Sequence, residues 1–149
     1  MKASETSLRN LLEGTKQFQI PLFQRPYSWT EEKWETLWED LMKLYNDEVE
    51  GSYFLGAIVT QSIAGTADGI SPYLVIDGQQ RLITLTILLA AMWDHLIREK
   101  KTEVAQELYN LYLINNIKKA KNFIKFYRLK KIERLTKVFS KIKNPKKKD

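Results

Sequence analysis

Three short stretches of the chain have the hydrophobic pattern of β-strands. Residues 18–24 alternate with a period of two, and Pro21 indicates an edge strand or a bulge. Residues 53–62 are apolar on both faces near their middle, and Gly56 indicates a bulge or a close backbone approach. Residues 73–77 are expected to form a buried strand that ends at an acid. Turn residues between the second and third stretches predict a hairpin.

Elsewhere the apolar positions recur every three or four residues, which predicts helices with one buried face. A short helix is expected over residues 4–12, with Gly14 as its stop. A second helix begins near Ser28, whose spacing to Glu31 is typical of a capping box, with Thr30 as the alternative cap. Its expected buried face consists of Trp34, Leu37, Trp38, Leu41 and Tyr45.

The longest helix is expected from Gly78 to about Arg98, and apolar residues nearly surround it through Ala91. Such a helix is typical of the centre of a hydrophobic core. Another helix is expected over residues 102–115, and a basic amphipathic helix or pair of helices from Asn122 onward. These elements predict an α+β fold, with a small mixed β-sheet, packed helices and a helical C-terminal segment.

Composition narrows the class of protein. The 149 residues include no cysteine, which excludes disulfides, thiol nucleophiles and thiolate metal sites, and which suits a reducing compartment. The first residues lack the apolar core of a signal peptide. The longest apolar run, residues 82–93, is shorter than the about 20 residues that span a bilayer. We therefore expect a cytoplasmic protein without a membrane contact.

The charge is unevenly distributed. The net charge is +6, and residues 118–149 contain fourteen Lys/Arg and two acids, 14 − 2 = +12. Residues 1–117 therefore carry 6 − 12 = −6. We expect a folded domain over 1–117 and a basic helical tail over 118–149. Such a tail contacts nucleic acid, or it faces an acidic surface of its own domain or of a partner.

Candidate chemistry is concentrated where the third strand meets the longest helix. Asp77 ends the strand, where it could hold a metal ion or a hydroxyl, and Gly78 permits a tight turn and a close ligand approach. The first helical amides and the Arg81 guanidinium would then face an anion such as phosphate. Gln79 and Gln80 add amides that need partners. The alternative is a strand–turn–helix joint, with Asp77 as its cap and Arg81 in solvent.

The loop after the first strand is a second candidate. Arg25 precedes a proline, which holds its backbone extended. Tyr27 and Trp29 lie beside it, and an arginine flanked by aromatic rings can stack on a base. The alternative is that these rings close the end of the sheet.

Three blocks of sequence occur together in order: IPLFQRPYSW at residues 20–29, FLGAI at 54–58 and VIDGQQRLITL at 75–85. With these blocks the chain resembles the N-terminal domain of the GmrSD-type restriction endonuclease family, a bacterial phage-defence group. The resemblance covers about residues 7–115. It implies a ParB/sulfiredoxin-like fold.

The resemblance also implies a function. Family members bind and hydrolyse a nucleoside triphosphate at the Asp-Gly-Gln-Gln-Arg block, which controls a nuclease acting on modified foreign DNA. It implies catalytic roles for Asp77, Arg81 and Arg25, with Asp77 also a ligand of Mg²⁺. The residues implied to contact GTP or ATP are Gly78, Gln79, Gln80, Gln24, Tyr27 and Trp29. Residues 1–117 would then be a nucleotide-binding domain and a candidate NTPase.

The chain also departs from the family pattern. Family members are usually longer and often carry a His-Asn-His nuclease module, whereas the single histidine here, His95, is expected at the surface. A nuclease site is therefore not expected, and a separate nuclease domain or subunit is the expected partner. The alternatives are a fragment that binds DNA or a partner through its basic tail without enzymatic activity, or one that self-associates through apolar positions of residues 123–142.

Overall fold

The computed structural model of the chain describes residues 4–21, 23–65, 67 and 69–115. The elements of this part are, in chain order, α1 (Leu8–Leu12), β1 (Lys16–Gln19), α2 (Glu31–Tyr45), β2 (Val59–Ser62), β3 (Ser71–Asp77), α3 (Gln79–Arg98), α4 (Thr102–Leu108) and a π-helical turn (Tyr109–Leu113). The α+β class is confirmed. The predicted basic helices after residue 122 lie outside the described residues.

The sheet is mixed and has the strand order β1-β3-β2. β1 runs parallel to the central strand β3, with Gln19 opposite Leu74. β2 runs antiparallel to β3, as the predicted hairpin requires, and Val59 lies opposite Asp77 with an irregularity in register before Thr60. Because β1 and β3 are parallel, their carboxyl ends lie at the same edge of the sheet.

Helix α3 forms the centre of the core, as predicted. Residues 82–87 are all buried, including Thr84 and Thr86. The buried cluster that links α1, the sheet and α3 contains Leu12, Phe18, Val75, Leu82, Ile83 and Ile87. In the part of the chain that the structure describes, no helix is both long and apolar enough to cross a membrane.

The strands differ in extent from the predictions. The first was expected over residues 18–24 but pairs only as Lys16–Gln19; Pro21 follows closely and has no N–H to donate. The second was expected over residues 53–62 but pairs only as Val59–Ser62. Gly56 has a φ of +102°, which interrupts an extended strand. The third begins two residues earlier than expected, at Ser71.

Two helix starts also differ. The first helix begins at Leu8 rather than Ser4, because the Ser7 side chain accepts a hydrogen bond from the Asn10 amide and caps it. The capping box predicted at Ser28 is wrong. Thr30 occupies the cap position of α2, and its side chain makes no capping bond.

Two predicted helical segments are partly wrong. Tyr45 was assigned to the buried face of α2, but it is 81% exposed at the last residue of the helix. The helix expected over residues 102–115 ends at Leu108 and continues only as the π-helical turn. Ile114 is already extended, with a φ of −127°.

Candidate functional site

Parallel pairing of β1 and β3 brings two candidate site segments to one edge of the sheet. The segment after β1 is residues 20–29, and the segment after β3 is Gly78 with the first turn of α3. Crevices outside the carboxyl ends of strands are common ligand sites. Two of the three blocks on which the family resemblance depends, 20–29 and 75–85, therefore meet in space.

Gln24 fastens the first segment to the central strand. β1 stops opposite Leu74, so β3 continues beyond the end of its parallel partner. The Gln24 Nε2 donates to the carbonyl oxygens of Val75 and Ile76, at 3.0 Å each. The side-chain amide thus supplies donors at the strand edge that β1 no longer covers.

Two glutamines at the start of α3 hold the same segment from the other side. The Gln79 Nε2 donates to the Arg25 carbonyl at 3.0 Å. The Gln80 side chain bonds twice: its Nε2 donates to the Pro26 carbonyl at 3.2 Å, and its Oε1 accepts from the Ser28 amide at 2.9 Å. The sequence indicated that these side-chain amides need hydrogen-bond partners. Backbone groups of residues 25–28 provide them.

The turn between β3 and α3 depends on glycine. Gly78 has a φ of +84°, in the left-handed region that disfavours side chains. A Cβ at this position would lie 3.0 Å from the Ala57 carbonyl oxygen and 3.0 Å from the Ile58 Cγ1. The Asp77 Oδ1 accepts a hydrogen bond from the Gly78 amide at 2.7 Å. One carboxylate oxygen therefore stabilises the turn.

Arg81 extends from the first turn of α3 to the segment before β2. Its Nη1 donates to the Ala57 carbonyl at 2.6 Å. Its guanidinium lies against Gly56, where a Cβ would approach the Arg81 Cζ to 2.7 Å. The close approach predicted at Gly56 is therefore present, and the approaching group is the arginine itself.

Tyr27 occupies a different position from its neighbours in the sequence. Its hydroxyl lies 2.7 Å from the Thr84 Oγ1 and accepts a hydrogen bond from the Trp34 indole. Its ring stacks on Trp34 with ring centroids 6.2 Å apart. Burial raises the pKa of the Tyr27 phenol, against a lowering by its bonds to Thr84 and Trp34. Tyr27 therefore anchors its loop to α2 and α3.

A cavity of about 420 Å³ lies between the two segments. This volume is within the range of about 300–1,000 Å³ that is usual for ligand sites. Its lining residues are Phe23, Gln24, Arg25, Trp29, Ile76, Asp77, Gly78, Gln79, Gln80 and Arg81. The structure thus brings together eight of the nine site residues predicted from sequence, whereas Tyr27 does not line the cavity.

The cavity is lined by arginine side chains and by a hydrogen-bond acceptor that has no partner among the described residues. Within the described residues the Arg25 side chain is exposed and has no hydrogen-bond or ion-pair partner in the protein. Gln79 is 6% exposed, and its Oε1 is buried without a hydrogen-bond partner among the described residues. Such an acceptor is costly unless a water or a ligand donor reaches it.

The candidate metal ligand of the cavity is Asp77. Among the residues that the structure describes, no group of three or more His, Cys, Asp and Glu side chains could hold a metal ion. Asp77 is the acidic residue among those that line the cavity. The second carboxylate oxygen, Oδ2, makes no hydrogen bond within the described chain. His95 is exposed, as predicted, and lies near the far end of α3.

Sequence reasoning missed several contributors. Phe23 and Ile76 line the cavity, and Phe23 is 87% exposed. The Ala57 carbonyl accepts a hydrogen bond from Arg81, and the Thr84 hydroxyl is hydrogen-bonded to the Tyr27 hydroxyl. In the sequence, Gly56 was the one signal for the contact between Arg81 and the Ala57 carbonyl. Nothing local distinguishes Thr84 from the other residues of a buried helix.

Comparison with known proteins supports the resemblance. The family described as GmrSD restriction endonuclease, N-terminal domain, matches residues 8–149 of the chain. No curated protein matches the chain.

Proposed function

The chain belongs to the GmrSD restriction endonuclease N-terminal domain family and is thus a restriction-system component, and we propose that its cavity binds the phosphates of a nucleoside triphosphate. The observation that carries this proposal is the composition of the cavity. Two arginines from different segments, Arg25 and Arg81, line it together with the first turn of α3.

Each of these groups suits a phosphate. The amides at the start of a helix have no intrahelical acceptor, and the helix dipole favours an anion there. Arg81 already donates one N–H to Ala57, which leaves other guanidinium donors for a ligand. Among the described residues nothing bonds to the Arg25 guanidinium, so its donors are available to a ligand. The side chains of three glutamines hold the two segments in position through five hydrogen bonds, so ordering of this loop costs less when a ligand binds.

Mg²⁺ fits the donor set only together with a phosphate ligand. Mg²⁺ usually keeps several waters and binds through one or two carboxylates plus substrate phosphates. Asp77 offers its Oδ2 for this purpose, because Oδ1 accepts from the Gly78 amide. The bound ion would neutralise charge on the phosphates. Arg25 and Arg81 would stabilise the charge that develops if the terminal phosphate is hydrolysed.

The test is calorimetric titration of the protein with a non-hydrolysable GTP or ATP analogue in the presence of Mg²⁺. Arg25→Ala should weaken binding about 10-fold or more, because hydrogen bonds to charged groups contribute about 1.5–3 kcal/mol. The Arg25 carbonyl that accepts from Gln79 is retained in this variant. Arg81→Ala should weaken binding at least as much.

Arg98→Ala is the matched control, because Arg98 is an exposed arginine at the other end of the same helix. Its affinity should equal that of the unmodified protein. Equal nucleotide affinity in the Arg25→Ala, Arg81→Ala and Arg98→Ala proteins would refute the phosphate site.

Turnover tests the role of Asp77 separately. Asp77→Asn should retain an acceptor for the Gly78 amide while losing the charge that holds Mg²⁺. Phosphate release should fall about 10-fold or more. Analogue binding in the absence of Mg²⁺ should be retained or strengthened, because a negative charge beside the phosphates is removed. Unchanged turnover would remove Asp77 from the reaction.

A second candidate function is DNA binding by residues 118–149, which the charge of +12 favours, 14 − 2. Neutralised phosphates release counterions, so binding would fall steeply with salt. Replacement of Lys146, Lys147 and Lys148 by Gln should reduce the salt dependence of binding to a DNA duplex. Binding that is insensitive to salt would contradict this function.

A further inference from the structure

A second, smaller cavity of about 190 Å³ adjoins the first. Its lining residues are Trp29, Lys33, Thr36, Leu37, Asp40, Tyr53, Leu55, Arg81 and Leu85. Two of them, Trp29 and Arg81, also line the first cavity. The two cavities therefore adjoin at Trp29 and Arg81. A ligand with two unlike parts could occupy both.

The second cavity has a different chemistry from the first. Leu37 and Leu85 are almost fully buried and, with Leu55, give it an apolar floor. Trp29 adds an aromatic ring on which a flat group can stack. Neither an extra phosphate nor a hydrated ion suits such a floor, whereas an aromatic heterocycle does.

The polar groups at its edge are few and of opposite charge. The Asp40 carboxylate accepts a hydrogen bond from the Tyr53 hydroxyl at 2.6 Å, and its side chain is 25% exposed. The hydrogen bond to Asp40 raises the pKa of the Tyr53 phenol, so the hydroxyl stays protonated as a donor. The Lys43 ammonium lies 3.7 Å from the other carboxylate oxygen of Asp40, Oδ1. A carboxylate has about four acceptor sites, so Asp40 can still accept a further N–H group. Lys33 presents an ammonium donor at the same cavity.

From this juxtaposition we infer that the second cavity holds the base of the nucleoside triphosphate and selects bases with a ring N–H beside a carbonyl. The inference rests on the proposed phosphate site in the first cavity. The ring N–H of guanine or uracil would donate to Asp40, and the neighbouring carbonyl would accept from Lys33. Adenine and cytosine present an unprotonated ring nitrogen at this edge, which repels a carboxylate.

Binding of four nucleoside triphosphates and of inorganic tripolyphosphate, all with Mg²⁺, tests this inference by calorimetry. GTP and UTP should bind about 10-fold or more tightly than ATP and CTP, because the selective bond is to a charged group. Tripolyphosphate should bind more weakly than GTP, since it fills only the first cavity. Asp40→Asn should remove most of the preference, because an amide offers a donor as well as an acceptor.

Glu39→Gln is the matched control, because Glu39 is the exposed acidic neighbour of Asp40 on α2 and lines neither cavity. The preference should persist in this variant. Leu55→Trp fills the second cavity from a half-buried loop position. It should lower GTP affinity to that of tripolyphosphate while tripolyphosphate binding is unchanged.

The outcomes separate the two proposals. If tripolyphosphate and all four nucleotides bind with equal affinity, the base site is overturned and the phosphate site stands. If the preference survives in Asp40→Asn, the selective role of Asp40 is overturned. If neither tripolyphosphate nor any nucleotide binds the folded protein, the proposed function fails together with this inference.

Discussion

The two ends of α3 carry similar polar side chains but use them differently. At the first turn, the side chains of Gln79, Gln80 and Arg81 bond to backbone groups 24 to 54 positions away. At the last turn, Arg98 pairs with Asp94 on the same helix. The first turn therefore joins distant segments, whereas the ion pair of Arg98 stays within the helix.

This difference follows from the topology rather than from the helix itself. The first turn lies at the edge where the parallel strands β1 and β3 both end, so two loops surround it. The last turn leads through Lys100, with a φ of +59°, directly into α4. Polar residues on a helix form a candidate binding site at places where other segments of the chain pass within hydrogen-bond distance of them.

The largest expected effect on stability is that of Gly78→Ala. The left-handed backbone costs a side chain about 1–2 kcal/mol, and the new Cβ also contacts Ala57 and Ile58 at 3.0 Å. We expect a loss of about 2–4 kcal/mol in the free energy of unfolding, measured by urea denaturation.

Gly14→Ala is the control for this variant. Gly14 has the same φ of +84° but nothing within 4 Å of the Cβ position. It should lose only the backbone contribution of about 1–2 kcal/mol. Equal losses in the two variants would show that close packing at the start of α3 contributes nothing.

The next effect is that of Gln79→Ala. This change removes a buried amide that donates to the Arg25 carbonyl. We expect a loss of about 1–2 kcal/mol in unfolding free energy, because a hydrogen bond and packed side-chain atoms are both lost. Gln106→Ala, on the exposed face of α4, should change stability by less than about 0.5 kcal/mol. A loss of less than about 0.5 kcal/mol in Gln79→Ala would contradict the distinction between side chains that join distant segments and side chains that make local contacts.

A smaller effect is expected from the two arginines. Arg81→Gln loses the bond to Ala57 and should cost about 1 kcal/mol of unfolding free energy. Arg98→Gln loses only an exposed i,i+4 ion pair and should cost about 0.3–0.5 kcal/mol. Raising the salt concentration should reduce the Arg98 effect more than the Arg81 effect. A larger effect of salt on Arg81→Gln than on Arg98→Gln would contradict the proposed contrast between the two ends of α3.

The smallest effect concerns pH. Because the pKa of Tyr27 is raised in the folded protein, the folded state holds its proton more tightly than the unfolded state does. The stability from this group is fully present below the ordinary tyrosine pKa of about 10 and is lost as pH rises through the folded value. The stability advantage of the unmodified protein over Tyr27→Phe should therefore shrink above pH of about 10. An advantage that is constant with pH would contradict this.

Much of the fold was predictable from local pattern. The apolar surroundings of residues 78–91 predicted the central helix, and the turn residues before β3 predicted its hairpin with β2. The errors occurred at the ends of strands and of helices. Pro21 and Gly56 were recognised as irregular, but a pattern does not specify whether such a residue bends a strand or ends it.

The site was predictable to a similar degree. The two sequence blocks were expected to face one pocket, and eight of their nine candidate residues line the cavity. Tyr27 belonged to the same block, but it bonds to Thr84 and Trp34 outside the cavity. Direction of a side chain on a loop depends on what lies beside the loop, and this information is absent from its own sequence.

The sequence by itself determined the class of fold, the central helix, the glycine turn after Asp77 and the family of the chain. Tertiary structure decided which groups meet: Gln24 with the edge of β3, Arg81 with Gly56, and the second cavity beside the first. The physical reason is that helix and turn formation depend on neighbouring residues. Partners more than 20 positions apart are set by strand order and register, which emerge only when the whole core packs.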